Sequence, residues 1–151
     1  MVSILIEKMK RIFPEHIQLN ELNRMTPGNM GETLGMEFTA IGPDYLSASM
    51  PVDHRTKQPY GILHGGASVA LAETLASVAA NLALPPDSGM YAVGLEINAN
   101  HIKSVRDGKV TGTCTALQLG RKISVWEIKI HNDAGDLICV SRMTAAILER
   151  R

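Results

Sequence analysis

A histidine followed by two glycines, His64-Gly65-Gly66, stands where the most apolar stretch of the chain begins. Glycine has no Cβ, so the backbone can turn sharply there and another group can approach its amide N–H closely. If a helix starts at this point, those N–H groups lie at its positive end and can stabilise a developing oxyanion. Gln58 adds a neutral side-chain amide a few residues earlier. A glycine turn with a purely steric purpose is the alternative.

Glu73 is the one formal charge in the eighteen residues from Ala67 to Leu84. No Lys or Arg occurs between Lys57 and Lys103, so no cation close in sequence can pair with it. An ionised carboxylate is costly to bury without a partner, and one held in a partly dry cleft suits general-base or nucleophilic catalysis. Ser77, four residues later, is a hydrogen-bonding side chain on the same helical face. An acid that simply reaches solvent at an edge is the alternative.

Other catalytic and metal-binding patterns are absent from the sequence. The histidines lack the spacing of metal ligands, so no metal site is predicted; they are His16, His54, His64, His101 and His131. The segment around Ser68 lacks the G-x-S-x-G pattern of a hydrolase nucleophile. Cys114 and Cys139 lie on separate predicted strands and do not form a secreted disulfide framework. A reducing, cytoplasmic setting is expected.

Length and charge narrow the class of protein. The 151 residues predict a single domain, 1–151, and its 15 Lys+Arg balance 15 Asp+Glu. The absence of any long basic run argues against nucleic acid as a partner. The stretch from Ala67 to Leu84 is marginal in length for a membrane span and is interrupted by Glu73 and several polar residues. It predicts a helix inside a soluble protein, and the amino end does not have the pattern of a signal peptide.

Periodicity predicts helices first and mostly strands later. Residues 1–17 are expected to form a helical N-terminal extension, with a helix over 2–13; a second helical piece covers 19–25, and Asn29 with Glu32 resembles a capping box. The strands expected from alternation are 34–41 and 45–50, paired as a hairpin, and then 91–100, 110–117, 123–130 and 137–148, which are expected to be antiparallel neighbours. In the strand over 123–130 the apolar side chains change from odd-numbered to even-numbered positions at Trp126. This change predicts either a bulge or a Trp126 exposed to a partner surface.

The long helix is apolar on nearly every side, and such a helix is expected to be buried all round. A single sheet can cover it only by curling around it, or by curling partway while a second subunit closes the remainder. The predicted fold class is therefore α+β, with a curled antiparallel sheet wrapped around one long central helix.

The segment Gln58-Pro59-Tyr60-Gly61-Ile62-Leu63-His64-Gly65-Gly66, followed by Leu71-Ala72-Glu73-Thr74, resembles the hotdog-fold acyl-CoA thioesterases. Within that family it is most similar to the branch of aromatic acyl-CoA thioesterases, which act on 4-hydroxybenzoyl-CoA or dihydroxynaphthoyl-CoA or proofread enterobactin synthesis. The resemblance covers roughly residues 19–148 and includes Gly94-Leu95-Glu96-Ile97-Asn98. It implies the same curled sheet around one helix.

The resemblance also implies a role for each matching residue. Glu73 would be the catalytic carboxylate, and Gln58 with the Gly65 N–H would donate to the thioester carbonyl. His64 would orient or polarise the substrate, and Ser77 would help Glu73 to position water. The contacts to coenzyme A would be made by Gly94, His101, Lys103, Gln118, Gly120 and Arg121. Near relatives often have His-Arg-Pro where this chain has Ile102-Lys103-Ser104.

In this family two subunits share each site, so the resemblance implies a homodimer and, from it, a dimer of dimers. A thioester carbonyl is already electrophilic, so no metal or cofactor is expected, and coenzyme A is part of the substrate. Three other functions stay open: a proofreading thioesterase directed to an acyl carrier protein, an acyl-CoA-binding protein without catalysis, and a hydratase of the same fold. The hydratase would need an Asp-His pair that the sequence lacks at the helix.

Overall fold

The computed structural model describes residues 11–150. Its elements in chain order are α1 (Leu19–Asn23), α2 (Met30–Leu34), β1 (Glu37–Ile41), β2 (Tyr45–Pro51), α3 (Gly65–Leu82), β3 (Met90–His101), β4 (Lys109–Leu119), β5 (Ile123–Asn132) and β6 (Leu137–Glu149). The strands form one antiparallel sheet in the order β1-β2-β4-β5-β6-β3. Because α3 contacts β2, β3, β4, β5 and β6, the sheet curls around it. The predicted α+β architecture is confirmed.

One stripe of α3 packs into the core, whereas another is covered only in part. The fully or almost fully buried side chains are Ala67, Ser68, Leu71, Ala72, Leu75, Ala76, Ala79 and Ala80. The half-buried ones are Val69, Ala70, Glu73, Thr74, Ser77, Val78 and Leu82. The expectation that the helix is buried all round is therefore wrong within one chain. The sheet wraps it only in part, and the half-buried stripe is open to another surface.

The strand neighbours differ from the prediction in one respect. β3 does not pair with β4; it pairs with β6 at one end of the sheet, while β4 lies between β2 and β5. The cause is α3, which carries the chain across the sheet between β2 and β3, so that the β4-β5-β6 meander fills the space between them. Alternation along a strand reports which side chains face the core, but it does not report which strand lies alongside.

Trp126 is buried, so the predicted exposure to a partner is wrong. Its indole N–H donates to Ser124 Oγ at 2.9 Å, and its ring stacks on Phe13 with centroids 6.2 Å apart. The even-numbered side chains of β5 from Ser124 onward face the core, which explains the parity. The irregularity lies instead in β4, where Leu117 is an extra residue between two paired positions.

The amino-terminal prediction lies largely outside the described residues. Of the helix expected over 2–13, only 11–13 are described, and residues 11–18 contain no helix. The Ile12 and Phe13 N–H groups donate to the Pro43 carbonyl in the β1–β2 turn, and Phe13 is buried. The helical piece at 19–25 and the turn after Asn29 are confirmed as α1 and α2.

β3 is one of the two terminal strands of the sheet, opposite β1, and it carries a bulge. Leu95 is an extra residue between Gly94 and Glu96 in the pairing with β6. The bulge shifts the alternation, so that Ala92 faces the core before it and Ile97 after it. Leu95 is 62% exposed, which is unusual for a leucine within a strand.

Candidate active site

His64 is the residue that caps the amino end of α3. Its ring Nδ1 accepts a hydrogen bond from the Gly66 N–H at 2.8 Å, the contact that a serine or aspartate oxygen usually makes. Nδ1 must therefore be unprotonated. The Gly65 N–H has no hydrogen-bond acceptor within residues 11–150. Because the first N–H groups of a helix lack intrahelical partners, this one is available to a ligand.

A cavity of about 280 Å³ lies beside this helix start. Gln58, Gly65, His101 and Lys103 line it, so four of the predicted site residues meet there. A Cβ on Gly65 would lie 2.6 Å from His101 Nε2, closer than real side chains approach. Glycine at this position is what allows the imidazole of His101 to lie against the backbone of the helix.

Gln58 is held by a tight turn. Its Oε1 accepts the Tyr60 N–H at 2.6 Å, and its backbone carbonyl accepts the Gly61 N–H at 2.9 Å. Gly61 has a φ of +75°, in the left-handed region that favours glycine. With Oε1 occupied, the Gln58 Nε2 group is the part of the side chain that remains free to donate to a substrate carbonyl.

Glu73 lies half-buried on α3 against the backbone of Gly94, where any larger residue would collide with the carboxylate. Burial raises the pKa of this carboxyl, and a hydrogen bond from Ser77 opposes the shift. The Ser77 hydroxyl also lies 3.8 Å from Met143 Sδ. No Lys, Arg or His among residues 11–150 forms a salt bridge with Glu73. A carboxylate in this environment is a stronger base than one in water.

The helix keeps these two groups of residues apart within one chain. Glu73 follows Gly65 by eight residues, and an α-helix rises 1.5 Å per residue, so the two positions are about 12 Å apart along the axis. A carboxylate must come within about 3 Å of the atom or water on which it acts. A single chain therefore does not bring the carboxylate to the carbonyl donors.

The remaining predicted residues line an open groove at the other end of the helix. Gln118, Gly120 and Arg121 lie there together with Lys122 and Arg150. Glu149 also lines the groove, and three cationic side chains against this one carboxylate leave a net positive charge that favours an anionic ligand such as a phosphate. Arg150 had no distinguishing pattern in the sequence, because it follows the last strand and only the curl of the sheet brings it beside the β4–β5 loop.

Lys103 lines the first cavity, but its side chain already forms a salt bridge with Asp136. Its Nζ lies 2.6 Å from Asp136 Oδ2, and this contact, with a second from Asn132, holds the pKa of Asp136 below its usual value. A lysine already paired with a carboxylate is a weaker phosphate ligand than an unpaired arginine.

Asn81 is a second residue, after Arg150, that sequence reasoning missed at the site. It lines the groove and bonds to the backbone of β3. Its residue type gave no signal, because it is the last residue but one of α3, where the low helix propensity of asparagine matters little. Elsewhere in residues 11–150, no three His, Cys, Asp or Glu side chains come together as a metal site would require. No helix in the same range is long and apolar enough to cross a membrane.

Comparison with known proteins decides the family. A family model described as the thioesterase superfamily matches residues 60–139. The chain is 52% identical to the 1,4-dihydroxy-2-naphthoyl-CoA hydrolase of Escherichia coli (strain K12) over 137 residues, 91% of this chain and 99% of that one. The chain belongs to the thioesterase superfamily. It is a thioester hydrolase with the hotdog fold, as the resemblance implied.

Two further relatives of this thioesterase support the same assignment. The proofreading thioesterase EntH of Cronobacter turicensis is 47% identical over 137 residues, which cover 91% of this chain and 98% of that protein. The crystal structure of a thioesterase from Haemophilus influenzae superposes with a TM-score of 0.87 at 47% identity, covering 91% of this chain and 95% of that one. The fold and the class of reaction are thus shared with these relatives, and each similarity covers 91% of this chain.

Proposed function

We propose that this thioesterase hydrolyses aromatic acyl-CoA thioesters, of the hydroxybenzoyl or dihydroxynaphthoyl type, to the free acid and coenzyme A. The main observation behind the proposal is the half-buried carboxylate of Glu73. Burial raises the pKa of this carboxyl, and no Lys, Arg or His within residues 11–150 forms a salt bridge with it. The name of the Escherichia coli relative, a dihydroxynaphthoyl-CoA hydrolase, supports the choice of acyl group.

The reaction needs only groups of the protein. The thioester oxygen accepts hydrogen bonds from the Gly65 N–H and Gln58 Nε2, which stabilise the oxyanion as it forms. Glu73 either removes a proton from the attacking water or attacks the carbonyl carbon itself to give an anhydride that water then opens. In both routes the C–S bond breaks, and the sulfur leaves as the thiolate of coenzyme A and takes up a proton. Ser77 holds the carboxylate or the water in place.

A second copy of the chain supplies the missing half of the site. In the sheet formed by residues 11–150, β3 has a neighbour on one edge only. Gly94 lies against Glu73 and His101 lies against Gly65, seven residues apart on that same strand. If two β3 strands pair antiparallel about a two-fold axis at Asn98, the bulge at Leu95 brings Gly94 of one subunit opposite His101 of its mate. Glu73 of the first subunit then faces Gly65 and Gln58 of the second.

A mostly apolar pocket of about 320 Å³ supports an acyl group with a ring. Met36, Phe38 and Val78 line it, with the amide of Asn29 among its few polar groups. Val78 is the residue after Ser77 on α3, so the pocket adjoins the stripe of the helix that carries the carboxylate. An apolar lining with a few polar groups suits a hydroxylated aromatic ring better than a short aliphatic acid.

A thioesterase directed to an acyl carrier protein is the second candidate, favoured by the identity to EntH. Both candidates use the same chemistry at the thioester and differ in what holds the phosphopantetheine arm. The groove with Arg121, Lys122 and Arg150 supports the coenzyme A form, since its charges match the phosphates of a nucleotide.

A thiol-release assay tests the proposal. The substrates are benzoyl-, 4-hydroxybenzoyl-, dihydroxynaphthoyl-, acetyl- and palmitoyl-CoA, and an acyl carrier protein loaded with a benzoyl group. We expect the aromatic CoA esters to turn over fastest, and Glu73→Ala to slow them by about 100- to 10,000-fold without unfolding. Glu37→Ala, which removes an exposed carboxylate at the start of β1, is the matched control and should change nothing.

Each other outcome of this assay has a definite meaning. Near-normal turnover by folded Glu73→Ala would overturn the role of that carboxylate. Preference for the loaded carrier protein would replace the proposal with the proofreading function. Tight binding of acyl-CoA with no release of thiol would make the protein an acyl-CoA-binding protein.

A further inference from the structure

The side chain of Asn81, near the end of α3, joins the helix to the terminal strand. Its Nδ2 group donates to the Ser77 carbonyl at 2.9 Å and to the Ala92 carbonyl at 3.0 Å. Its Oδ1 accepts the Ala92 N–H at 2.9 Å. Both backbone groups of Ala92 are therefore bonded to one amide, in the two-point manner in which a neighbouring strand would bond them.

The register of the sheet explains why Ala92 needs such a partner. Ala92 stands opposite Ile147 of β6, and the Ile147 N–H donates to the Lys122 carbonyl on the other side of that strand. In an antiparallel ladder, residues opposite each other turn their backbone groups either both toward or both away from one another. The groups of Ala92 therefore point to the free edge of β3, where Asn81 binds them.

The part of the edge that stays open begins after Ala92. By the same alternation, and allowing for the bulge at Leu95, the backbone groups of Ile97, Ala99 and His101 also turn to the free edge. Two copies of this segment pair antiparallel with Ile97 opposite Ala99, and the two-fold axis then passes Asn98. A shift of this pairing toward the amino end of β3 would need the backbone N–H and carbonyl of Ala92, which are already hydrogen-bonded to Asn81.

We propose that Asn81 is a positioning residue for the reaction: it closes the edge of β3 at Ala92 and ties that strand to Ser77, so that a second copy pairs about Asn98 and Glu73 faces its mate's Gly65. The inference rests on the proposed shared site. On this proposal, the side-chain amide of Asn81 sets two things: the position of the Glu73 carboxylate beside Gly94, and the register in which the two β3 strands of the dimer pair.

A cross-link measures the register without reference to turnover. Asn98 turns its backbone groups toward β6, so on the axis it meets its own copy as a non-hydrogen-bonded pair, with Cα atoms about 4.5 Å apart. That separation lies within the range that a disulfide spans. We expect Asn98→Cys to form a disulfide-linked dimer on mild oxidation, since Cys114 and Cys139 are both buried. A protein with Asn98→Cys that stays monomeric on a non-reducing gel would overturn the proposal.

The role of Asn81 is then tested by removing its contacts. Asn81→Ala deletes all three hydrogen bonds, and Asn81→Asp keeps the shape and the acceptor while losing both donated bonds. We expect each to reduce the yield of the Asn98→Cys cross-link several-fold and to lower kcat by about 10- to 100-fold, with KM changed much less, because a misplaced carboxylate slows the chemical step. Asn20→Ala, in α1, removes an exposed helical asparagine whose side chain has no hydrogen bond within residues 11–150 and should leave both unchanged.

The outcomes separate this inference from the proposed function. Cross-linking and kcat that both stay at the wild-type level in a folded Asn81→Asp protein would overturn the role of Asn81. A fall in thermal stability with kcat and cross-linking unchanged would make it a structural residue only, and would overturn it equally. A cross-link that depends on Asn81 in a protein that releases no thiol would uphold the register and overturn the thioesterase proposal instead.

Discussion

Glu73 is the residue in which sequence and structure agree most closely. The absence of nearby cations in the sequence set it apart, and the structure leaves it half-buried with no ion pair within residues 11–150. Its contact with Gly94 was not predictable from spacing, because twenty-one residues and a change of element separate the two. Only the pairing of β3 with β6 places that glycine over the carboxylate.

The raised pKa of Glu73 predicts how stability changes with pH. Its carboxyl loses a proton at lower pH in the unfolded chain than in the folded one, so raising the pH through that window destabilises the fold. Glu73→Gln removes this effect. We expect Glu73→Gln to melt at a higher temperature than the wild type at neutral pH, with the difference vanishing in acid below the ordinary glutamate pKa. A lower melting temperature at neutral pH would contradict the account.

The interaction of Ser77 with Glu73 leads to a prediction for the pH dependence of turnover. The carboxylate must be ionised to act as base or nucleophile, so kcat/KM falls on the acid side of its pKa. The hydrogen bond from Ser77 lowers that pKa, against the effect of burial. Ser77→Ala should therefore move the acid limb of the kcat/KM profile to higher pH, whereas an unmoved limb, or one moved to lower pH, would show that Ser77 does not bond to the ionised form.

At the scale of elements, the start of α3 has a simpler explanation than the resemblance implied for His64. The expectation was an orienting or polarising group, and the ring is the cap that leaves the Gly65 N–H free. His64→Ala should lower the free energy of unfolding by about 1 kcal/mol and slow turnover, because the first turn frays. His64→Asn, which can cap in the same way, should restore both. Chemical denaturation and the thiol-release assay measure the two effects, and stability restored without turnover would assign the ring a catalytic role.

The two loops that could hold coenzyme A differ in free charge. Arg121 lines the cationic groove, whereas Lys103 is paired with Asp136. Arg121→Ala should raise KM for CoA esters about tenfold at low salt, since a charge-assisted phosphate contact is lost. Lys103→Ala should raise it less. The reverse order, measured in steady-state assays at two ionic strengths, would place the nucleotide at the first cavity.

The strands show what periodicity can and cannot supply. Alternation located all six within a few residues, because core-facing side chains recur at every second position. It failed at β3, where the bulge at Leu95 changes the parity, and at the order of the strands, which the crossing by α3 decides. The exposed Leu95 and the open edge beside it follow from that order and were not visible in the sequence.

For the whole molecule, the central proposal is that one chain contributes one half to each of two active sites. The Gly65 donor and the Glu73 carboxylate are about two helical turns apart, which no side-chain rotation can bridge. The sequence predicted a shared site only through the resemblance, because hydropathy does not reveal where a second copy binds. The dimer of dimers and the cytoplasmic setting stay predictions.

Mixing two inactive variants tests the shared site directly. Co-expressed Glu73→Ala and Gln58→Ala subunits form mixed dimers in which one site has lost both groups and the other has lost neither. Random assembly makes half of the dimers mixed, so we expect thiol release to recover to about a quarter of the wild-type rate. Turnover that stays at the level of the two variants measured separately, in dimers shown by mass to be mixed, would contradict the account.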